Sequence, residues 1–297
     1  MTSLAVPSMI AACSIGAAAW HVAASSCAAR VMGVTTPGVF LLAPPQRIVF
    51  VSFECYRSPL TINLTQSFDQ LQSVEVGTVA QFSNNRLIFP SIEVAISLAE
   101  EVVWLCPMLS LAPQPRTAQL QTLNAIAAEV SAYSNKAGLT AVLPHLLDWP
   151  VAPSLSCEQS ALLDRLLVLR HAEQVGDRAL LVSGLINLLG QGRGLTPSGD
   201  DVIIGLLLML TRSPRANSLT ADNNLLQQVA ADAYQKTTSI SANLIECAAV
   251  GQGDERLIAV VDGIIAGSAS IDECVACVLD WGSSSGIDAL VGMLIAL

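Results

Sequence analysis

Lysine is nearly missing from this 297-residue chain: of 14 basic residues only Lys136 and Lys236 are lysines, and the rest are arginine. Against 24 acids these leave a formal charge of −10, so no basic stripe is on hand for nucleic acid or an anionic lipid surface. Aromatics are scarce at 4%, and Ala, Leu, Ile and Val must fill the core. Charge of either sign is thin, 13% against 52% hydrophobic residues, which excludes a disordered segment. Despite a mean hydropathy of +0.56, long uninterrupted apolar runs are also lacking. The stretch 4–24 is mostly Ala, Ser and Cys with His21 inside it, and no Lys or Arg precedes Arg30, so a buried Ala-rich helix is expected here rather than a secretory signal, the alternatives being a start placed too early or a weak anchor. The last apolar stretch, 287–297, is shorter than the roughly 20 residues a bilayer requires. No membrane is expected as a partner. Eight cysteines spread singly through apolar runs read as small buried hydrophobes in a reducing compartment, and the cytoplasm is the expected location.

What is there divides by pattern. Acids and bases number 8 and 6 up to Pro150 but 16 and 8 after it, so the acidic excess sits in the second half. Short β-branched or aromatic runs occur at 39–42, 47–53, 60–64, 74–79, 87–89 and 102–105, separated by Pro, Gly and Asn turns at the spacing of a compact sandwich or barrel. A helix over 92–100 is the one interruption expected. Beyond the Pro113 and Pro115 linker every segment has helical period, with Leu120, Leu123, Ile126 and Val130 on one face and a capping box at Ser156 and Gln159. Further helices are expected at about 178–189, 200–211, 222–236, 239–250, 255–266, 271–281 and 286–296, with Gly190, Gly251, Gly267 and Gly282 at stop positions, making a bundle of about nine. The predicted class is α+β: an Ala-rich N-terminal helix or extension over 1–27, a β-rich domain over 28–112 and a helical domain over 117–297. The competing arrangement is one interleaved domain with the Ala-rich helix packed on the bundle.

Chemistry concentrates in Gly192-Arg-Gly-Leu-Thr-Pro-Ser-Gly-Asp-Asp201, inserted between two apolar helices. Three glycines, two hydroxyls and two carboxylates stand where an apolar helix begins, so free N–H groups and the helix dipole predict an anion site with Arg193 as its cation. It is not a Walker loop, since G-x-x-x-x-G-K is absent. An ordinary capping box of Ser198 with Asp201 is the bland alternative. Ser285-Gly-Ile-Asp-Ala-Leu-Val-Gly292 repeats the pattern of Ser198-Gly-Asp-Asp-Val-Ile-Ile-Gly205. If these helices cross at Gly205 and Gly292, their N-termini face one shared ligand, with Asp201 and Asp288 turned partly to backbone N–H groups and Asp200 freer. A bulky residue at Gly199 would then abolish binding and spare the fold, whereas one at Gly205 would damage it. Between the repeats, Lys236-Thr-Thr-Ser-Ile-Ser-Ala-Asn243 offers Thr238, Ser241 and Asn243 as uncharged donors or as redundant caps. Asp200, Asp201 and Asp288 also have the oxygen chemistry for Mg²⁺, if a metal is used. Cys274-Val-Ala-Cys277 has redox or zinc spacing but lies mid-helix without a second pair, so a buried structural role is expected. The dispersed His21, His145 and His171 support no Ser-His-Asp triad.

Gly-Leu-Thr-Pro-Ser-Gly-Asp-Asp at 194–201 and Gly-Ser-Ser-Ser-Gly-Ile-Asp at 282–288, preceded by a β-rich part with an Ile-Asn-Leu strand at 62–64, resemble the AllH-type subunit of oxamate carbamoyltransferase over about residues 28–297. The resemblance implies anaerobic purine (allantoin) breakdown, in which oxalurate and phosphate become oxamate and carbamoyl phosphate. It also implies other carbamoyltransferase subunits as partners, one of them acyl-CoA synthetase-like. Members usually carry His before Ser-Ser-Gly, where Ser283 stands here. For such chemistry the expected substrate is a small anion (carbamoyl phosphate, phosphate or oxamate). Arg193, Gly194, Thr196, Ser198, Gly199, Thr238, Ser241, Asn243, Ser284, Ser285, Gly286 and Asp288 would contact it, and Asp200 or Asp201 would move the proton. The alternative is a non-catalytic assembly or small-anion-binding subunit whose glycine motifs serve packing.

Overall fold

The computed structural model describes residues 8–65, 69–99, 102–133, 138–213 and 223–297. They form two compact units, 1–107 and 108–297.

The first unit is a barrel. Its strands are β1 (Ser8–Gly16), β2 (Ala28–Thr35), β3 (Gly38–Ala43), β4 (Arg47–Ser52), β5 (Thr61–Leu64), β6 (Val79–Ser83), β7 (Arg86–Phe89), β8 (Val94–Ser97) and β9 (Val103–Trp104). Eight of them close in the order β1-β5-β4-β3-β2-β6-β7-β8 and back to β1, while β9 adds two residues parallel to the end of β1. Alternation along β6 puts Ala80 and Phe82 inside and Val79 and Gln81 outside, the period-two pattern of a sheet with one buried face. Ile15, Leu41, Val49, Val51, Ile62, Leu87, Phe89 and Ile96 fill the interior, each with at most 1% of its surface exposed. A barrel this narrow is packed with side chains and has no edge except at its rim. Asn63 is one of two buried polar residues in β5: its amide donates to the carbonyls of Glu54 and Tyr56 at 3.0 and 2.7 Å, holding the 53–60 connection against the strand.

Three expectations are corrected in this unit. The Ala-rich start is not a helix: Ser8–Gly16 is β1, integral to the closed barrel, and only α1 (Ala17–Ala24) is helical. Residues 1–7 lie outside the described ones. The strand expected at 74–79 gives way to a one-turn α2 (Asp69–Gln72) and a turn with Gly77 at φ +93°, so β6 begins only at Val79. The helix expected at 92–100 is β8, entered through Glu93 in the left-handed region; Glu100 lies outside the described residues. Ala28–Thr35 was not anticipated as a strand because two alanines and a glycine dilute its β-branched signal.

The second unit is helical: α3 (Arg116–Tyr133), α4 (Leu143–Leu146), α5 (Cys157–Val175), α6 (Arg178–Leu188), α7 (Ser198–Arg212), α8 (Asn223–Lys236), α9 (Ser239–Ala248), α10 (Glu255–Ala266), α11 (Ile271–Asp280) and α12 (Ser285–Ile295). The single turn α4, opened by Pro144, is the helix that periodicity missed. Capping chemistry accounts for several starts: Ser156 and Ser270 form reciprocal boxes with Gln159 and Glu273, and Asp177, Thr238 and Asp254 accept first-turn N–H groups. Two helices are buried on every side over most of their length. In α7, Gly199 to Leu210 are all buried, and in α12, Gly286 to Ile295 are, the signature of central helices. They cross where a Cβ at Gly205 would run into the Ala289 carbonyl and one at Gly292 into the Val202 carbonyl. Only glycine permits that approach. Arg212, at the C-terminus of α7, is gripped bidentately by Asp262 of α10 at 2.8 and 2.7 Å.

Among the described residues no helix is long and apolar enough to cross a membrane. All eight cysteines are free thiols; Cys247 and Cys274 are buried as expected, but Cys13, Cys55 and Cys157 are exposed, so burial does not account for them. Burial pushes the Cys274 thiol up to about 11, and the neighbouring Cys277 is raised as well, which keeps both protonated and unreactive.

Candidate active site

Crossing at Gly205 and Gly292 brings the N-termini of α7 and α12 together. Thr196, two residues before α7, and Ser285, first in α12, share a hydrogen bond of 3.0 Å. Beneath it lie three carboxyls that are 0–1% exposed: Asp200, Asp201 and Asp288.

Each meets a different environment. Asp200 accepts from the Gly190 N–H at 2.8 Å and from the Thr237 hydroxyl, so it ties the end of α6 and the start of α9 to α7. Burial lifts its pKa above the ordinary value, opposed by Gly190, Thr237 and the buried Ser241 hydroxyl. Asp288 accepts from the Leu139 N–H at 2.6 Å through Oδ1, while Oδ2 has no partner. Burial pushes it up to about 6, against the pull of Ser198, Leu139 and Ser284. Asp201 is the loose one: neither oxygen meets a donor in bonding geometry. Burial pushes it up to about 8; the Ser285 and Thr196 hydroxyls beside it oppose this, and the charges of Asp288 and Asp200 add to it. Near neutral pH, Asp201 is a protonated acid within about one pH unit of releasing its proton.

The expectation that Asp200 would be the freer carboxyl is therefore reversed. The capping box of Ser198 with Asp201 does not form either, because α7 begins one residue earlier than that box requires: Pro197 is its N-cap and Ser198 is already helical. Several of the N–H groups expected to build the anion site are already bonded. Gly199 donates to the Gln191 carbonyl at 2.8 Å, Asp200 and Asp201 both donate to that of Pro197, and in α12 Gly286 donates to Trp281 and Ile287 and Asp288 donate to Ser284. Gly199 and Gly286 serve packing, since a Cβ there would collide with the carbonyls of Leu188 and Val278.

A joint Mg²⁺ site of Asp200, Asp201 and Asp288 is likewise corrected. Among the described residues no group of three or more His, Cys, Asp or Glu side chains is placed to hold a metal ion. Asp200 has turned to Gly190 and Thr237, and one oxygen of Asp288 to Leu139.

The remaining candidates fall around this centre. Thr238 donates to the Leu195 carbonyl at 2.7 Å and caps α9 through the Ser241 N–H, so it fixes the 192–197 loop rather than facing the carboxyls. Asn243 donates back to the Ser239 carbonyl at 2.8 Å within its own helix. Arg193 and Gly194 are exposed in the loop. Sequence reasoning missed Thr237, Gly190 and the Gly138–Leu139 turn. Thr237 lay inside the hydroxyl run but looked redundant as a cap. Gly138 stands at φ +55° where a Cβ would strike Asp288 and Ser284, and nothing in its neighbours' pattern points to a carboxyl 150 residues away.

A proton-bearing carboxyl without a fixed partner, flanked by two hydroxyls at converging helix starts, can exchange a proton with a bound group and hydrogen-bond it. No curated protein and no solved structure matches the chain. Residues 188–297, which span Thr196, Asp200, Asp201, Ser285 and Asp288, match the family described as Oxamate carbamoyltransferase subunit AllH.

Proposed function

We propose that this chain is the subunit of an oxamate carbamoyltransferase that handles the amide nitrogen, with Asp201 as the proton carrier. The observation supporting this reading is the Asp201 carboxyl: buried, without a partner, and pushed up to about 8. In the degradative direction a phosphate oxygen attacks the carbamoyl carbon of oxalurate. The bond from that carbon to the amide nitrogen breaks, and Asp201 protonates the nitrogen as oxamate leaves. In reverse, the Asp201 carboxylate removes an amide proton from oxamate as its nitrogen attacks carbamoyl phosphate. A carboxyl whose pKa lies near the working pH serves both directions. Asp200 is a positioning residue, because its oxygens are committed to Gly190 and Thr237. Arg193, exposed in the loop that leads into α7, meets the anionic end of the ligand. With so few lysines in the chain, the phosphate falls mainly to partner subunits in the cytoplasmic enzyme.

A second reading, an assembly subunit, is favoured by the apolar residues left exposed on α5 and α6, Leu167, Val168, Val175 and Leu180. The two readings separate in one assay, phosphate-dependent cleavage of oxalurate by the chain mixed with its partner subunits. For the proton carrier, Asp201→Asn lowers turnover 100-fold or more with assembly intact, since general acid–base catalysis contributes about 10²–10⁴-fold. Full turnover in that variant leaves only the assembly role.

A further inference from the structure

The crossing of α7 and α12 carries an inference about Asp288, a residue to which the proposed mechanism gives no part; it rests on that mechanism for the use made of the proton, but not for where the proton sits. The contacts at the crossing are reciprocal. Gly205 packs on the Ala289 carbonyl and Gly292 on the Val202 carbonyl, while Gly199 and Gly286 pack on the carbonyls of Leu188 and Val278, each in the helix that precedes its own. Hydroxyls cross in the same way: Ser285 of α12 lies beside Asp201 of α7, and Ser198 of α7 beside Asp288 of α12. Contacts that repeat with the partners exchanged describe a local two-fold. Asp201 and Asp288 hold equivalent positions in it, one helical turn before Gly205 and Gly292 and so on the same helix face as those glycines, the face turned to the other helix. Two carboxyls that are 1% and 0% exposed are thus brought to one level of the crossing.

One group breaks the symmetry. The Leu139 N–H donates to Asp288 Oδ1 at 2.6 Å, whereas neither oxygen of Asp201 meets a donor in bonding geometry. The hydroxyls do not restore the balance. Thr196 and Ser285 spend one of their two hydrogens on each other, leaving one for Asp201, while Ser198 and Ser284 both stand beside Asp288. Hydrogen bonds to a carboxylate favour its charged form, and two neighbouring buried carboxyls do not readily ionise together, so the proton that the pair retains goes to the member with fewer donors.

We propose that Asp288 is a positioning residue for the proton: held charged by the Leu139 N–H, it faces Asp201 across the local two-fold and keeps the single proton of the pair on Asp201. The directions of titration agree. Burial pushes Asp201 up to about 8 and the Asp288 charge adds to this, whereas Asp288 itself rises to about 6. Asp200, the other charge acting on Asp201, is turned to Gly190 and Thr237. In the helices packed against α7 and α12, Asp262 pairs with Arg212 and Arg256 with Asp254, Glu246 takes the Tyr234 hydroxyl, and Arg170 and Arg116 donate to the carbonyls of Leu146 and Leu297.

The test labels the aspartate carboxyl carbons of the full chain and follows them by NMR from pH 5 to 9, each signal being assigned by its loss in Asp201→Asn or Asp288→Asn. In the unaltered chain Asp288 titrates below pH 7 and Asp201 above it. Asp288→Asn, which keeps an acceptor for Leu139 but removes the charge, moves the Asp201 titration down by about 0.5 pH unit or more, and the inflection of the assembled enzyme moves with it. Asp201→Asn replaces a group that is already neutral where Asp288 titrates, and leaves that titration in place. An Asp201 titration unchanged in Asp288→Asn, or an Asp288 titration that shifts as far in Asp201→Asn, overturns the proposal. The unaltered chain decides even where neither variant folds, since the absence of any aspartate carbon titrating above pH 7 also overturns it. Full turnover of the assembled Asp201→Asn enzyme beside an Asp288-dependent titration would refute the proton carrier and keep the pair, so the two failures are distinguishable.

Discussion

Asp201→Asn stabilises the chain, and by more as pH rises. A carboxyl raised from its ordinary 3.8 to about 8 stays protonated in the folded chain while the unfolded chain gives up its proton. Between those values the unfolded state binds fewer protons, so its contribution to stability is full below about pH 4, falls as pH rises and levels off above about 8. Each pH unit in that window costs about 1.4 kcal/mol, so the penalty is about 1.5 kcal/mol at pH 5 and about 4 at pH 7. Asparagine does not titrate and escapes all of it. Its buried amide brings a cost of its own, about 1–3 kcal/mol where a partner is lacking. The variant is thus roughly level with the parent at pH 5 and about 1–3 kcal/mol more stable at pH 7. Asp288, raised to about 6 by burial, titrates in both proteins and largely cancels in the comparison. Denaturant unfolding at pH 5, 6, 7 and 8, followed by helical circular dichroism, measures the difference. A gap between the two proteins that stays constant or narrows with pH would refute the reasoning, because nothing else distinguishes them across that range.

The packing claims are tested by other substitutions. Gly205→Ala or Gly292→Ala drives a methyl into a facing backbone carbonyl and lowers stability by about 3 kcal/mol or more, visible as a drop in Tm of the helical transition. Gly199→Val destabilises as well, because the Leu188 carbonyl occupies the space; a variant that keeps the parent's Tm would restore Gly199 as a purely ligand-facing residue. Asp262→Ala leaves the largely buried Arg212 without its bidentate partner and costs about 3 kcal/mol, whereas denaturation midpoints unchanged within error would show the pair to be dispensable.

How far the sequence was legible depended on whether the signal was local. The helices of the second unit announce themselves through apolar period and caps, and the Ser156–Gln159 box forms as its residues predict. The repeated Ser-Gly-x-Asp-x-x-x-Gly pattern anticipated the Gly205–Gly292 crossing because a glycine inside an apolar helix signals close approach. In the barrel, β1 was misread since Ala-rich sequence favours helix on its own and becomes a strand only when β5 and β8 flank it. The partners of the carboxyls were not legible. Asp200 meets Gly190 and Thr237, and Asp288 meets Leu139; these choices follow from three-dimensional packing, and they invert the expected division between tied and free acids. Pro197 shifted the start of α7 by one residue, which was enough to turn Asp201 from a cap into an orphan.

The most direct measurement is the pH–rate profile of the proposed carbamoyltransferase, assembled with its partner subunits, in the direction that consumes oxamate and carbamoyl phosphate. In the proposed function Asp201, raised to about 8 by burial, acts there as the base. The account predicts kcat/KM rising about tenfold per pH unit below that value and levelling above it, with the inflection lost in Asp201→Asn and retained in Thr237→Val, which frees only Asp200. An identical inflection in the Asp201→Asn enzyme, at undiminished rate, would contradict the claim that this carboxyl moves the proton.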